Sequence, residues 1–166
     1  MLGRILCLLA VALVLLAGCG DGDGEGTTLE NSSGITRQIA GGWVGNLHQQ
    51  GLKPFEVATR INPSGVGRVA YTGLDCGGDW SLVNVLNTRP PHYIFREDIE
   101  KGSGGSCKGK GRVDVLPIQR QEPNGPAYTR MNYTFTGGGV TSSGLLRRVH
   151  PPEVIAVFHQ SHVPRH

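Results

Sequence analysis

The chain has 166 residues, of which 38% are hydrophobic and 17% are charged, and it includes 26 glycines and 10 prolines. This length suits one modest domain, and the apolar residues recur in short clusters, which excludes an intrinsically disordered chain. The formal net charge is +3 at pH 7. Because the basic residues are scattered, ordinary solubility explains them better than an anionic polymer does, and we expect no nucleic-acid partner.

The N-terminus has the three-part layout of a secretory signal, with Arg4 before an apolar run at residues 5–17, then a small residue and Cys19. The run resembles the lipobox of bacterial lipoproteins, in which the peptide is cut before a cysteine that then carries acyl chains. An ordinary cleaved signal is the alternative, whereas a membrane-spanning helix needs roughly 17–25 apolar residues. We predict a signal peptide at residues 1–18 and a lipid anchor on Cys19, at the extracytoplasmic face of a bacterial membrane. Gly20 follows the cysteine, which permits transfer of the lipoprotein to the outer membrane if the cell has two membranes.

A spacer at residues 19–36 follows the anchor. Its charged side chains are all acidic, namely Asp21, Asp23, Glu25 and Glu30. From Ile35 to Val149, in contrast, the chain has fourteen Lys and Arg residues against eight Asp and Glu residues. Because Gly-rich spacers behave as flexible coils, we predict a flexible tether that holds a mildly basic body off the membrane.

The chain has four cysteines. Cys7 lies in the signal and Cys19 is the acylation site, which leaves Cys76 and Cys107. In an exported, oxidising compartment such a pair favours a disulfide over a thiol catalyst or a metal site. We therefore predict a bond between Cys76 and Cys107.

The body contains short clusters of β-branched, aromatic and aliphatic residues separated by Gly, Pro, Asn and Asp. Such clusters predict strands, here at residues 42–48, 54–61, 67–72, 79–86, 92–99, 107–118, 128–135 and 140–149. Turn signals include Asn62-Pro63-Ser64-Gly65 and the triple glycine at 137–139. These eight strands with short connections predict an all-β domain at residues 37–149, as an eight-stranded antiparallel up-and-down barrel or a curled meander with one disulfide.

The remaining residues, 150–166, form a His- and Pro-rich tail. Its apolar run at 154–158 has three alternatives: a ninth strand, docking on the barrel, or disorder. Beyond His159 we expect poor order. His159, His162 and His166 offer imidazoles to a metal, but they have no rigid scaffold or carboxylate partner. A solvent-exposed tail is the better interpretation, and we expect no metal and no cofactor.

Several landmarks carry a family resemblance. They are Trp43-Val44-Gly45, Val69-Ala70-Tyr71, Leu74-Asp75-Cys76-Gly77-Gly78-Asp79-Trp80-Ser81-Leu82, Tyr93-Ile94-Phe95-Arg96-Glu97-Asp98-Ile99, Cys107 and Leu145-Leu146-Arg147-Arg148. Together they resemble a small extracytoplasmic domain of actinobacterial lipoproteins, also found outside some bacterial Ser/Thr kinases, with a lipocalin-like (calycin-like) barrel. The resemblance spans residues 42–148 and implies the fold and the Cys76–Cys107 bond, but no reaction. The chain departs from the family pattern at Trp80, where an aliphatic residue is usual, and in its tail.

The element Trp43-x-Gly45 is also similar to one in lipocalin-type barrels, where the tryptophan packs the closed end. We therefore expect Trp43 in the core. Glu97 and Asp98 are the candidates for acid–base chemistry, but adjacent residues of a strand point to opposite faces. Glu97 beside Arg96 and Arg147 is interpreted more simply as an ion pair at the barrel end. The sequence has no phosphate loop, dinucleotide fingerprint or nucleophile elbow, and we expect no enzyme.

The sequence thus predicts a non-catalytic ligand-binding or sensing module at the cell envelope. Small barrels bind ligands at their mouths, and the aromatic residues expected to face a ligand are Trp80, Tyr93, Tyr128 and Tyr133. The expected ligand is a small apolar molecule or a cell-wall fragment. Two alternatives stay open: a protein-interaction or inhibitor module that docks on an envelope enzyme or kinase, and, least favoured, a hydrolase that uses Glu97 or Asp98.

Overall fold

The structure, a computed structural model, describes residues 34, 36–102, 107, 109–120, 128–150, 152, 154 and 155. Its strands are β1 (Gly41–Gln49), β2 (Phe55–Ile61), β3 (Val66–Thr72), β4 (Cys76–Leu86), β5 (His92–Gly102), β6 (Gly109–Arg120), β7 (Tyr128–Gly137) and β8 (Val140–Val149). Each strand pairs antiparallel with the next, and β8 pairs with β1 to close a barrel. The predicted all-β, eight-stranded up-and-down barrel with a Cys76–Cys107 disulfide is therefore confirmed.

Alternation along each strand separates the barrel interior from its outer surface. On β5, Tyr93, Phe95 and Glu97 are completely buried inside the barrel, whereas Arg96 and Asp98 lie on the outer face. Aromatic and β-branched side chains fill the interior, which forms one continuous apolar core. Burial of this aliphatic and aromatic surface stabilises the closed sheet. Closure also leaves no edge strand with unpaired backbone groups.

Strand β4 begins three residues earlier than the sequence indicates, at Cys76 rather than Asp79. Gly77 and Gly78 belong to this strand, and both pair with β3 and β5. A Cβ atom at Gly78 would overlap the backbone carbonyl of Asp98. The close approach of β4 and β5 therefore requires glycine at position 78.

Side-chain and backbone hydrogen bonds stabilise the predicted turn between β2 and β3. The Asn62 Oδ1 atom accepts hydrogen bonds from the backbone N–H groups of Ser64 at 3.1 Å and Val66 at 3.0 Å. Gly65 takes a φ of 81°, a conformation that glycine adopts without strain. The turn therefore pairs β2 with β3 in a register that keeps the apolar sides of both strands inside.

Trp43 and the segment that precedes β1 close one end of the barrel. Trp43 and Ile39 are both completely buried, and the Trp43 indole N–H donates a 2.8 Å hydrogen bond to the Ile39 carbonyl. The backbone N–H of Ile39 in turn donates to the Thr36 carbonyl at 3.0 Å. The expectation that Trp43 packs in the core is confirmed.

Arg148 of β8 fastens this closed end. Its guanidinium carbon lies 4.5 Å from the ring centre of Trp43. The same group donates hydrogen bonds to the carbonyls of Gln38 at 2.8 Å, Ala40 at 2.5 Å and Tyr128 at 2.6 Å. One cation therefore connects β8 with Trp43 of β1, with the start of β7 and with the segment before β1, where it satisfies the backbone carbonyls of Gln38 and Ala40.

Part of the tail docks on the outer surface of the barrel. Val154 is buried against Val44, Ala58 and Val149, and a side chain larger than hydrogen at Gly42 would overlap it. Of the three alternatives for this stretch, docking is the one that holds at Val154. Within the described part of the chain, no helix is both long and apolar enough to span a bilayer.

Several predictions fall on residues outside the described ranges. They are the signal peptide at 1–18, the anchor at Cys19, the tether apart from its last residues, and the histidines His159, His162 and His166. These stay predictions.

Candidate functional site

A pocket opens at the end of the barrel opposite the Trp43 closure, which we call the mouth. It has a volume of about 190 Å³. Its walls come from every hairpin at this end of the barrel. They consist of Gln49, Leu52, Phe55, Tyr71, Leu74, Cys76, Ile99, Cys107, Phe135, Gly137, Gly138, Val140 and Ser142.

The mouth pocket is mainly apolar and aromatic. Phe55 meets the Tyr71 ring edge-on, with ring centres 6.0 Å apart and an interplanar angle of 74°. The polar side consists of Gln49 and Ser142, whose hydroxyl donates a 2.6 Å hydrogen bond to the Gln49 Oε1 atom. None of the described residues that line it carries a charged side chain. Such walls suit a neutral, largely apolar molecule with one hydrogen-bonding group.

Two apolar side chains stand at the rim of the mouth pocket. Leu52 is 44% exposed and Val140 is 39% exposed, and both contribute to the lining. The Cys76–Cys107 disulfide also lies in the wall, where it joins the first residue of β4 to Cys107, two positions before β6 begins. The Cα atoms of the two cysteines are 5.9 Å apart, which is an ordinary span for a disulfide.

A buried polar group lies next to the pocket, and we call it the Glu97 cluster: Glu97, Tyr71, Tyr133 and Trp80. Both carboxyl oxygens of Glu97 are 2.8 Å from the Tyr71 hydroxyl. The Trp80 indole N–H donates to the Oε2 atom at 3.1 Å. The Tyr133 hydroxyl lies 2.7 Å from the Tyr71 hydroxyl and 3.5 Å from Oε2. Tyr71 belongs to both the cluster and the pocket wall.

The aromatic rings of the cluster also pack on one another. Trp80 stacks on Tyr133, with centres 5.7 Å apart and an interplanar angle of 19°. Its other neighbour is Phe95, at 5.3 Å. This packing holds the three donors in place around the carboxyl, so that the interior can accommodate a polar group without an opposite charge.

Burial governs the acid–base behaviour of the cluster. It raises the pKa of Glu97 to about 7, although the hydrogen bonds from Tyr71, Trp80 and Tyr133 lower it. Burial, together with the neighbouring phenol and the carboxylate, also raises the pKa of Tyr71 well above its usual value. The pKa of Tyr133 is raised in the same way, first by burial and then by the charge of Glu97. The carboxyl therefore changes charge near neutral pH, whereas the phenols stay neutral.

The prediction of Glu97 as an ion pair at the barrel end is wrong. Glu97 points into the interior and bonds to neutral side chains. Arg96 lies on the outer face, where its Nε atom is 3.3 Å from an Asp98 carboxyl oxygen. The second Asp98 oxygen lies 3.1 Å from the Lys110 ammonium. The expected opposite orientation of Glu97 and Asp98 is what the structure shows, so the two carboxyls share no site.

The four aromatic residues expected to face a ligand lie in the interior of the barrel. Trp80 and Tyr133 belong to the Glu97 cluster, Tyr93 is completely buried, and Tyr128 packs beside the closed end. None of them is part of the pocket wall. The wall instead contains Phe55, Tyr71 and Phe135, which the sequence interpretation did not select.

The signal for this second set was present in the sequence. Phe55, Tyr71 and Phe135 each lie within two residues of the end of their strand, and all three ends meet at one rim in an up-and-down topology. Among the residues that the structure describes, no three His, Cys, Asp or Glu side chains converge as a metal site would require. No family model, curated protein or solved structure matches this chain.

Proposed function

We propose that the protein is a lipid-anchored, non-catalytic binding module that holds a small neutral molecule in the mouth pocket of its barrel. The single observation that carries this proposal is the pocket itself, about 190 Å³ of space between apolar and aromatic walls. An apolar cavity of about 150 Å³ is large enough for benzene. The matching ligand is therefore a single ring or a short acyl chain that carries one hydrogen-bonding group.

The walls also indicate how strongly such a ligand binds. An aromatic group buries roughly 150–250 Å², and apolar burial contributes roughly 25 cal/mol per Å². The resulting 4–6 kcal/mol, as an order of magnitude, corresponds to dissociation constants between about 1 mM and tens of micromolar. Gln49 and Ser142 lie on one side of the pocket, where they supply an acceptor and a hydroxyl that orient the polar group of the ligand.

The position of the pocket is compatible with an anchor at Cys19. The chain enters the barrel at the closed end, where Gly42 pairs with Val149. The pocket lies at the other end. A tether attached before the closed end leaves the mouth free to exchange ligand with the surrounding medium.

The surroundings of the acidic residues support binding rather than hydrolysis. Glu97 is 0% exposed and surrounded by its three donors, so no water or substrate reaches it in this arrangement. The described wall of the pocket contains no carboxylate or imidazole to serve as a general base.

The test measures the binding of indole to the protein, by calorimetry and by changes in NMR chemical shifts. Leu52→Trp fills the rim of the pocket, and the matched control is Leu145→Trp, because Leu145 is also 44% exposed but is not part of the pocket wall. We expect Leu52→Trp to weaken indole binding by about tenfold or more, while Leu145→Trp stays within about twofold of the wild type. Equal losses in both variants, or no binding of indole to the wild type, would contradict the proposal.

A further inference from the structure

We propose that the Glu97 cluster takes up a proton when a ligand fills the mouth pocket, so that the protein binds its ligand more tightly as the pH falls. This inference rests on the proposed function of the pocket. It assigns to the barrel a linkage between occupancy and pH, which suits a protein that loads its ligand in an acidic setting and releases it in a neutral or alkaline one.

Tyr71 connects the two places physically. Its ring forms part of the pocket wall and packs against Phe55. Its hydroxyl, at the far end of the same ring, lies 2.8 Å from both carboxyl oxygens of Glu97. The pocket and the carboxyl are thus separated by the length of one tyrosine side chain, so a change of the pocket from water to an apolar ligand changes the polarity of the medium just beyond the Tyr71 ring.

The cluster satisfies its hydrogen bonds in both protonation states. When Glu97 is ionised, Tyr71 and Trp80 donate to it, and the Tyr133 hydroxyl donates to the Tyr71 oxygen. When Glu97 is protonated, its O–H donates to Tyr71, which donates to Tyr133, which donates weakly to Oε2 across 3.5 Å. The change needs only rotation of hydroxyl groups, so the proton enters without repacking of the core.

No cation compensates the ionised carboxyl among the residues that the structure describes. The groups that face Glu97 are neutral: Tyr71 from β3, Trp80 from β4, Tyr133 from β7, and Gly111, its partner on β6. Other titratable groups of the interior are Tyr93, Tyr128 and, at the closed end, Arg148. The strands β1 and β2 contribute apolar side chains, Thr59 and Gln49 to the interior. The donors of the cluster stabilise the charge directly, and water that fills the mouth pocket adds solvation from beyond the Tyr71 ring.

The direction of the linkage follows from this dependence on water. A neutral apolar ligand displaces water from the pocket, which disfavours the ionised form of Glu97 and raises its pKa further above about 7. By reciprocity, the protonated protein then binds the ligand more tightly than the ionised protein does. A rise of one pKa unit corresponds to about a tenfold difference in affinity between the two limits of pH.

The experiment is a titration with indole at about pH 5.5 and about pH 8.5, on either side of the Glu97 transition near 7, with the wild type, Glu97→Gln and Asp98→Asn. The probe carries no charge in this range. We expect the wild type to bind about tenfold more tightly at the lower pH. Glu97→Gln should bind equally at both pH values. Asp98→Asn removes the neighbouring carboxyl on the outer face and should behave as the wild type does.

A second measurement keeps the test independent of how well Glu97→Gln folds. The carboxyl carbon of Glu97, followed by ¹³C NMR in the wild type, should titrate near pH 7 and shift its midpoint upward when indole is present. Binding that is independent of pH, with an unmoved midpoint, overturns the linkage and leaves the pocket's role intact. Absence of indole binding at either pH overturns the proposed function and the linkage together.

Discussion

Glu97 is the most informative single residue, because the local sequence pattern predicts its inward position but not its partners. Its inward position follows from alternation with Tyr93 and Phe95, yet glutamates are almost never buried unless they are paired. The sequence interpretation accordingly paired Glu97 with Arg96 and Arg147 at the barrel end. The actual partners lie 17 to 36 residues away along the chain, and only the closed topology brings them together. No local signal in the sequence identifies them.

Glu97 also determines how stability depends on pH. The pKa of Glu97 is raised from 4.5, its value in an unfolded chain, to about 7, so between these limits the folded state holds a proton that the unfolded state has lost. The free energy of unfolding therefore falls as the pH rises from about 4.5 to about 7 and then levels off. The expected loss is about 3 kcal/mol.

Glu97→Gln should remove this pH-dependent contribution to the free energy of unfolding. Denaturant unfolding at about pH 5 and about pH 8, on either side of the transition, should show that the stability of the variant relative to the wild type increases with pH by about 3 kcal/mol. Asp98→Asn serves as the control on the outer face and should not reproduce the trend. A constant difference between wild type and Glu97→Gln across this range would show that the buried carboxyl does not titrate there.

At the scale of the elements, the strand order was predictable and the contacts that hold its ends were not. Short apolar clusters with turn residues between them indicate consecutive hairpins, because each turn sets the register of the strands on either side. Arg147 and Arg148 are adjacent, and the sequence alone does not show that they have different roles. Only the structure shows that Arg147 is exposed and that Arg148 turns inward to bond three carbonyls.

Arg148→Ala should destabilise the closed end strongly. The substitution leaves three backbone carbonyls without this donor and removes the cation above Trp43. Because hydrogen bonds to charged groups contribute about 1.5–3 kcal/mol each and are not additive, we expect a loss of about 3 kcal/mol in the free energy of unfolding. Arg147→Ala is the matched control and should change stability by less than about 0.5 kcal/mol. Similar losses in both variants would remove the special role of Arg148.

For the whole molecule, the sequence predicted the class, the topology, the disulfide and a ligand site at the mouth, but it did not predict which residues line that site. Eight consecutive hairpin strands have few alternatives once edge strands must be avoided. The space at the mouth, by contrast, depends on which large side chains fill the interior and which stop short of the rim. Trp80 and Tyr133 were expected to face a ligand at the mouth, but their rings fill the interior around Glu97 instead.

The proposed anchor gives a prediction at the same scale. Cys19→Ser should release the protein from the membrane fraction of the producing cell and abolish labelling with a palmitate analogue, because no acyl chain can be attached. Cys7→Ser changes a cysteine of the predicted signal and should leave both readouts unaltered. Retention of Cys19→Ser in the membrane fraction with labelling intact would contradict lipidation at this residue.

The closure at Gly42 and Val149 has a practical consequence. These two residues are direct partners across β1 and β8, so the beginning and the end of the barrel lie side by side, at the end opposite the mouth pocket. A fluorescent protein or an affinity surface joined to the barrel next to Gly42 or Val149 would therefore be attached away from the mouth. The same adjacency makes the barrel a good subject for circular permutation, with the old ends joined by a short linker and new ends opened at a hairpin of the rim.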